Sequence, residues 1–155
     1  MPGGGHDMEM QEQKRQAKVL IVDDDPEMRL AMHVRLKANN YAVGFAVDGV
    51  SGVAEARRQM PDVILLDLGL PAGDGFSVLE RLQASDILAT IPVIVVSGRD
   101  RAAHRDRSIK AGAKMFLQKP VRNTDLLSAI EQTLGIKGEH VTPHVYDLAG
   151  PSAAD

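Results

Sequence analysis

The 155-residue chain contains no cysteine and no tryptophan, and only 3% of its residues are aromatic. Without cysteine it can form no disulfide bonds and perform no thiolate chemistry. Its net charge of −3 gives no support for binding nucleic acid or an anionic membrane surface. No apolar run approaches the roughly 18 residues of a membrane span, and the N-terminal residues lack the apolar segment of a signal peptide. These absences predict a cytoplasmic protein without direct nucleic-acid or membrane binding.

Short apolar runs alternate with segments of helical periodicity. The order is β-α repeated five times, which predicts an α/β fold with five parallel strands and helices on both faces of a doubly wound sheet. The predicted strands are Lys18–Val22, Tyr41–Phe45, Val63–Leu66, Pro92–Val96 and Met115–Leu117. The predicted helices are Pro26–Ala38, Val50–Gln59, Phe76–Gln83, 102–111 and Asp125–Leu134.

The two ends of the chain lack this pattern. Residues 1–16 begin with glycines and continue with polar residues, which favours a flexible arm. Residues 137–155 contain two prolines and no periodic apolar pattern, which favours a loose tail. The expected domain is therefore 17–136. Because the tail is too short for a DNA-binding output domain, the chain is either a single-domain protein or a piece of a longer one.

Polar side chains follow four of the predicted strands. Asp23 and Asp24 follow the first strand, Asp67 follows the third, and Ser97 follows the fourth. Lys119 lies just beyond the fifth strand. In open sheets of this class, ligands bind beyond the carboxyl ends of the strands, so these side chains are expected to meet at one edge.

Each residue also has a structural interpretation when it is taken alone. Asp25 is expected to cap the first helix, because Pro26 follows it. Ser97 could cap the fourth helix together with Asp100, and Lys119 could simply be solvated.

As a group, the residues favour phosphoryl transfer. Three carboxylates at one edge are unfavourable unless a cation offsets their charge. Oxygen ligands without cysteine or histidine suit Mg²⁺, and Lys119 offers a compact positive charge to a phosphoryl group. A carboxylate can itself act as the nucleophile and form an acyl phosphate, which is the role we assign to Asp67.

Residues 17–136 resemble the receiver domain of bacterial two-component response regulators. The matching segments, in family order, are VLIVDDDP, DVILLDLGLPAGDG, IPVIVVSG and AGAKMFLQKP. The resemblance implies a flavodoxin-like or CheY-like fold with strand order 2-1-3-4-5.

The resemblance also implies roles for individual residues. Asp67 matches the phosphoacceptor, and the acidic pair Asp23 and Asp24 matches the Mg²⁺ ligands. Gly69 matches the residue whose backbone carbonyl completes the metal site. Lys119 matches the lysine that pairs with a phosphoryl oxygen, and its peptide bond to Pro120 is expected to be cis. Ser97 matches the residue whose hydroxyl moves onto the phosphoryl group. Phe116 matches the aromatic residue whose ring turns inward as Ser97 moves.

The implied function is that of a signalling domain rather than an enzyme in the ordinary sense. A sensor histidine kinase or a histidine phosphotransfer protein would donate the phosphoryl group, and the receiver would assist its own phosphotransfer and dephosphorylation. The fourth helix, fifth strand and fifth helix would then contact a second copy or an output protein. The arginines at 99, 101, 105 and 107 are candidates for that contact.

Two alternatives stay open. A receiver fold can act as an interaction module without phosphorylation, although the complete set of site residues argues against it. A haloacid-dehalogenase-like phosphatase also forms an aspartyl phosphate, but it requires a second aspartate where this chain has Gly69.

The fourth helix is expected to be loosely anchored, with Ala102, Ala103 and Ile109 as its thin apolar face.

Overall fold

The computed structural model describes residues 16–72 and 74–135. The predicted tail lies outside the described residues, as does the predicted arm apart from Gln16. The same holds for His140 and His144, whose spacing on its own gives a weak suggestion of a metal site.

Five strands form one parallel sheet in the order β2-β1-β3-β4-β5, which confirms the predicted topology. The strands are β1 (Lys18–Val22), β2 (Ala42–Ala46), β3 (Val63–Leu66), β4 (Val93–Ser97) and β5 (Met115–Gln118). The helices are α1 (Pro26–Ala38), α2 (Gly49–Gln59), α3 (Gly75–Gln83), α4 (Arg101–Lys110) and α5 (Asn123–Leu134), with a short 3₁₀ turn at Leu88–Thr90.

Several element boundaries differ from the predictions by one or two residues. The second strand begins at Ala42 rather than Tyr41, and the fourth begins at Val93, after Pro92. Helix α5 begins two residues earlier than predicted, at Asn123. Hydrogen bonds between neighbouring strands and at helix ends set these boundaries. Apolar periodicity alone does not show where those hydrogen bonds begin and end.

The sheet separates two apolar layers. The central strands β1 and β3 are buried on both faces apart from Lys18, as expected for a doubly wound sheet. One layer packs β-strand residues against α2 and α3, with Ile109 of α4 at its margin. The other packs the opposite face against α1 and α5. With every helix on a face, the carboxyl edge of the sheet remains open for a site.

Helix α1 begins as predicted. Asp25 is its N-cap, and the Asp25 side chain accepts hydrogen bonds from the backbone N–H groups of Glu27 and Met28. The cap turns the chain away from the sheet immediately after β1. The acidic residues therefore remain at the strand end.

Within the described residues, the longest helix has 13 residues. No helix there is long and apolar enough to cross a bilayer.

Candidate functional site

Three carboxylates meet at the carboxyl edge of the sheet. The ladders continue past the strand ends, since the Asp67 N–H donates to the Val22 carbonyl (2.9 Å) and the Asp23 N–H donates to the Ala46 carbonyl (3.1 Å). As a result, one carboxylate oxygen each from Asp23, Asp24 and Asp67 lies within 4.8 Å of the others. The structure therefore brings together the acidic residues predicted from the strand ends.

Asp23 is the most tightly held of the three. It is only 2% exposed, and its Oδ1 accepts a hydrogen bond from the Asp25 N–H (2.9 Å). Its Oδ2 accepts from Lys119 Nζ (2.8 Å), and its carbonyl accepts from Arg29 Nη1 (2.9 Å). These partners offset the cost of burying a charge.

Lys119 is not a solvated lysine. Its side chain is 18% exposed, and Nζ lies 2.8 Å from Asp23 Oδ2 but 3.8 Å from Asp67 Oδ1. The ammonium group therefore bridges the two carboxylates and lies closer to Asp23.

The pKa of Asp67 is raised above its ordinary value. Burial is the largest cause, because it disfavours the charged form. The ammonium of Lys119 lowers the pKa and Asp23 raises it, with smaller contributions from the Gly69 backbone N–H, which lowers it, and from Asp24, which raises it. The net shift is upward because burial outweighs the attraction of the Lys119 ammonium.

Ser97 and Lys119 are joined through the backbone. Ser97 ends β4 and is fully buried, and its carbonyl accepts from the Lys119 N–H at 2.8 Å. The Ser97 hydroxyl accepts from the Arg99 N–H (3.1 Å) and does not cap α4, whose N-cap is Asp100. The Lys119–Pro120 bond is cis, as the resemblance implies.

Glycines shape the loop after Asp67. Gly69 is exposed, and a Cβ there would lie 3.8 Å from Asp67 Oδ2, so its lack of a side chain leaves that flank of the carboxylate open. Gly75, at the start of α3, allows a much closer approach. A Cβ at Gly75 would lie 2.5 Å from the Leu68 Cα and 2.7 Å from the Asp67 carbonyl oxygen.

The Phe116 ring is buried in this structure. Phe116 is 1% exposed and packs in the layer that contains α2 and α3. The ring therefore starts from a buried position, and its movement with Ser97 stays a prediction.

The structure also corrects the predicted face of α4. Ala102 and Ala103 are exposed, while Arg105 and Ser108 are the buried positions. Arg105 pairs with Asp106 (2.9 Å). The guanidinium carbon of Arg107 lies 3.7 Å from the centre of the Phe76 ring. Arg105 is thus too buried for a surface contact.

The donor set at the sheet edge fits Mg²⁺. Its ligands would be carboxylate oxygens, which a hard cation prefers. Asp23, Asp24 and Asp67 place three carboxylates within 4.8 Å of one another, and Lys119 supplies one positive charge beside them, so negative charge is left to compensate. A divalent cation would supply that compensation.

Two contacts in the site are not predicted from the sequence. Arg29 donates to the Asp23 carbonyl, and Lys119 contacts Asp23 more closely than Asp67. For Arg29 a weak signal exists, since a basic residue lies one turn into the helix that follows the three aspartates. No local signal indicates the second contact.

Comparison with known proteins identifies the family of this chain. The family model of the response regulator receiver domain matches residues 19–131. Protein PilH of Pseudomonas aeruginosa is 35% identical over 118 residues, which cover 76% of this chain and 98% of PilH. The DNA-binding dual master transcriptional regulator RpaA of Synechocystis is 35% identical over 117 residues, which cover 76% of this chain. This chain spans only 48% of the length of RpaA.

A solved structure shows the same fold. The receiver domain of the sensor histidine kinase PA1611 from Pseudomonas aeruginosa aligns with a TM-score of 0.71 and 28% identity. The alignment covers 78% of this chain and 99% of that domain, which was crystallised with a magnesium ion coordinated in its active-site cleft.

The fold and the site together define a doubly wound α/β protein with an acidic cluster and a lysine at the carboxyl edge of its sheet. The chain belongs to the response regulator receiver domain family of two-component systems. Receiver domains of this family are signalling domains that interact with kinases and output domains.

Proposed function

We propose that Asp67 is the phosphoacceptor of this receiver and that phosphorylation requires Mg²⁺. The observation that carries the proposal is the cluster of Asp23, Asp24 and Asp67 within 4.8 Å, with Lys119 Nζ 3.8 Å from Asp67 Oδ1. These are the parts that phosphoryl transfer to a carboxylate requires.

The cation would be held by Asp23, Asp24 and Asp67, with the Gly69 backbone carbonyl as a further ligand. When bound, Mg²⁺ neutralises charge on the transferring phosphoryl group. Lys119 would pair with a phosphoryl oxygen, so the Lys119–Asp23 contact is the one expected to lengthen. Gly69 leaves the Asp67 carboxylate open to a donor.

The donor would be a sensor histidine kinase or a histidine phosphotransfer protein, in the cytoplasm. An Asp67 carboxylate oxygen attacks phosphorus, an O–P bond forms, and the N–P bond to the donor imidazole breaks. The imidazole nitrogen retains the electron pair of that bond. The receiver's own residues would assist this transfer and the later hydrolysis.

Output would follow from Ser97. The Ser97 hydroxyl accepts a hydrogen bond from the Arg99 N–H. Movement of this hydroxyl onto the phosphoryl group would break that hydrogen bond and shift the loop before α4. Phe116, already buried beneath this region, would fill the space that the loop leaves. The altered surface of α4, β5 and α5 would then meet an output protein or a second copy.

The test is labelling with acetyl phosphate and Mg²⁺, followed by intact-mass spectrometry. We expect one acid-stable, alkali-labile phosphoryl group, lost in Asp67→Asn and retained in the matched control Asp86→Asn, which changes an exposed aspartate outside the site. Labelling of Asp67→Asn at the wild-type level would disprove the assignment. A wild-type protein that stays unlabelled would favour an interaction module that works without phosphorylation.

The metal ligands can be tested in the same way. Asp24→Ala should lose both Mg²⁺ binding, measured by calorimetry, and labelling. Unchanged Mg²⁺ affinity would place the metal elsewhere. Ser97→Ala should still be labelled, but its beryllofluoride complex should show smaller amide shifts over residues 99–118 than the wild type. Wild-type shifts in that variant would argue against the role of Ser97.

A further inference from the structure

An apolar groove lies between α1 and the free side of β2, away from the surface of α4, β5 and α5. It has a volume of about 430 Å³. Its lining comprises Pro26, Arg29, Leu30, His33, Phe45 and Val47. No helix or strand among residues 16–72 and 74–135 fills it.

This flank concentrates the exposed apolar surface. Of the seven large hydrophobic side chains that are exposed within the described part of the chain, three line the groove: Leu30 (62% exposed), Phe45 (38%) and Val47 (46%). Val34 and Val50, also exposed, lie on the adjoining α1 and α2. An apolar concentration of this kind is typical of a surface that contacts another segment or protein.

The groove is also cationic at one end. Arg29 lines it and donates through Nη1 to the Asp23 carbonyl. A guanidinium group carries five N–H donors, more than that carbonyl uses. The His33 ring lies beside Phe45, with 5.2 Å between ring centres. An occupant should therefore combine apolar side chains with carboxylates.

The chain leaves the described structure on this same flank. The side-chain amide of Gln16 donates to Asn40 Oδ1 (3.0 Å), and Asn40 lies in the turn between α1 and β2. From the end of α1 at Ala38 back to Arg29 is about 14 Å along the helix. The six residues from Gln16 back to Met10 span about 20 Å when extended. Met10 and the residues before it can therefore reach the groove.

The segment that precedes Gln16 has the required chemistry. Residues 7–10 read Asp-Met-Glu-Met. Methionine side chains adapt to irregular apolar surfaces, and the two carboxylates complement Arg29. We propose that residues 7–10 dock intramolecularly in the α1/β2 groove, with Met8 and Met10 on Leu30 and Phe45 and an acidic side chain on Arg29. The docked segment would then contact Arg29, the residue that donates a hydrogen bond to the Asp23 carbonyl.

The absence of cysteine allows a clean test in the full chain. A nitroxide attached to Gln11→Cys should broaden the ¹⁵N amide signals of Leu30, His33, Phe45 and Val47, while the signals of α4 keep their intensity. Leu30→Ser should reduce this loss of signal. The matched control Ile87→Ser, which changes an equally exposed residue (66%) outside the groove, should leave it unchanged. Both positions are exposed enough for the variants to fold.

Three outcomes would overturn the proposal. The first is equal broadening over the whole surface, and the second is no broadening at the groove. The third is groove broadening that also appears when spin-labelled ¹⁴N protein is mixed with unlabelled ¹⁵N protein, because the occupant would then be a second copy. Charge pairing is tested by Asp7→Asn with Glu9→Asn, which should weaken the groove broadening. Unchanged broadening in that variant would overturn the contact with Arg29.

Discussion

Helices α3 and α4 follow the two loops that carry Asp67 and Ser97, yet they are anchored differently. Helix α3 buries Phe76, Val78, Leu79 and Leu82, and Asp74 caps it through two backbone N–H groups. Helix α4 buries a charged and a polar residue, Arg105 and Ser108, and Asp100 forms no side-chain cap bond. The phosphoacceptor side is thus fixed to the apolar core. Helix α4, which follows Ser97, is held by contacts that can rearrange at a lower free-energy cost.

This difference suits a switch. Gly75 brings α3 against the backbone of Leu68 and Asp67, so the proposed phosphoacceptor has a rigid support. The Ser97 loop has no comparable apolar anchor in α4. Arg107 and His104 of α4 both contact the Phe76 ring of α3, and the Arg107 guanidinium lies 3.7 Å from the ring centre.

The largest expected difference concerns core truncation. Leu79→Ala in α3 should lower the free energy of unfolding by about 2–5 kcal/mol, because Leu79 is fully buried and the change leaves a cavity. Ile109→Ala in α4 should cost about 1 kcal/mol, since Ile109 is only half-buried. Urea denaturation followed by circular dichroism measures both. Equal losses would mean that α4 is anchored as firmly as α3.

The helix caps should differ by a smaller amount. Asp74→Ala removes two hydrogen bonds at the α3 N-terminus and should cost about 1 kcal/mol. Asp100→Ala removes no side-chain cap bond and should change stability by less than about 0.5 kcal/mol. A cost for Asp100→Ala that matches the Asp74 variant would contradict the contrast between the helices.

The contact between the helices should contribute less again. Arg107→Met keeps a long apolar side chain but removes the charge over Phe76, and it should cost about 0.5–1 kcal/mol. Its amide shifts should concentrate in α4. Lys110→Met is the matched control, because it removes an exposed positive charge from the same helix. If the two variants lose the same stability, the ring contact contributes nothing measurable.

The smallest expected effect concerns pH, because Lys119 partly offsets the burial of Asp67. Burial raises the pKa of Asp67 in the folded state, so its contribution to stability is full below the unfolded pKa and is lost as pH rises through the folded pKa. With EDTA present, Asp67→Asn should therefore be slightly more stable than wild type at neutral pH. The gap should close as pH falls toward the ordinary carboxyl pKa of 3.8. A wild type that is more stable at neutral pH would show that the Lys119 contact dominates.

The sequence predicts much of the site because topology gathers residues from strand ends. The buried runs before Asp23, Asp67 and Ser97 indicate where each strand ends, and parallel order places those ends at one edge. The prediction for the buried face of α4 was right for Ile109, which packs against the core, and wrong for Ala102 and Ala103, which are exposed. Periodicity favours alanine and isoleucine as a buried face, but the position of Phe76 on α3 decides which side of α4 packs inward.

Local periodicity and the handedness of crossovers set the order of the elements, the two faces of the sheet and the edge that collects the acidic residues, so these features can be predicted from the sequence. Three other features come from tertiary packing: Lys119 contacts Asp23 more closely than Asp67, Arg105 is buried, and Gly75 must lack a side chain. Each of these features depends on distances of a few ångströms between elements far apart in the chain. Packing sets such distances, and no local pattern of residues encodes them.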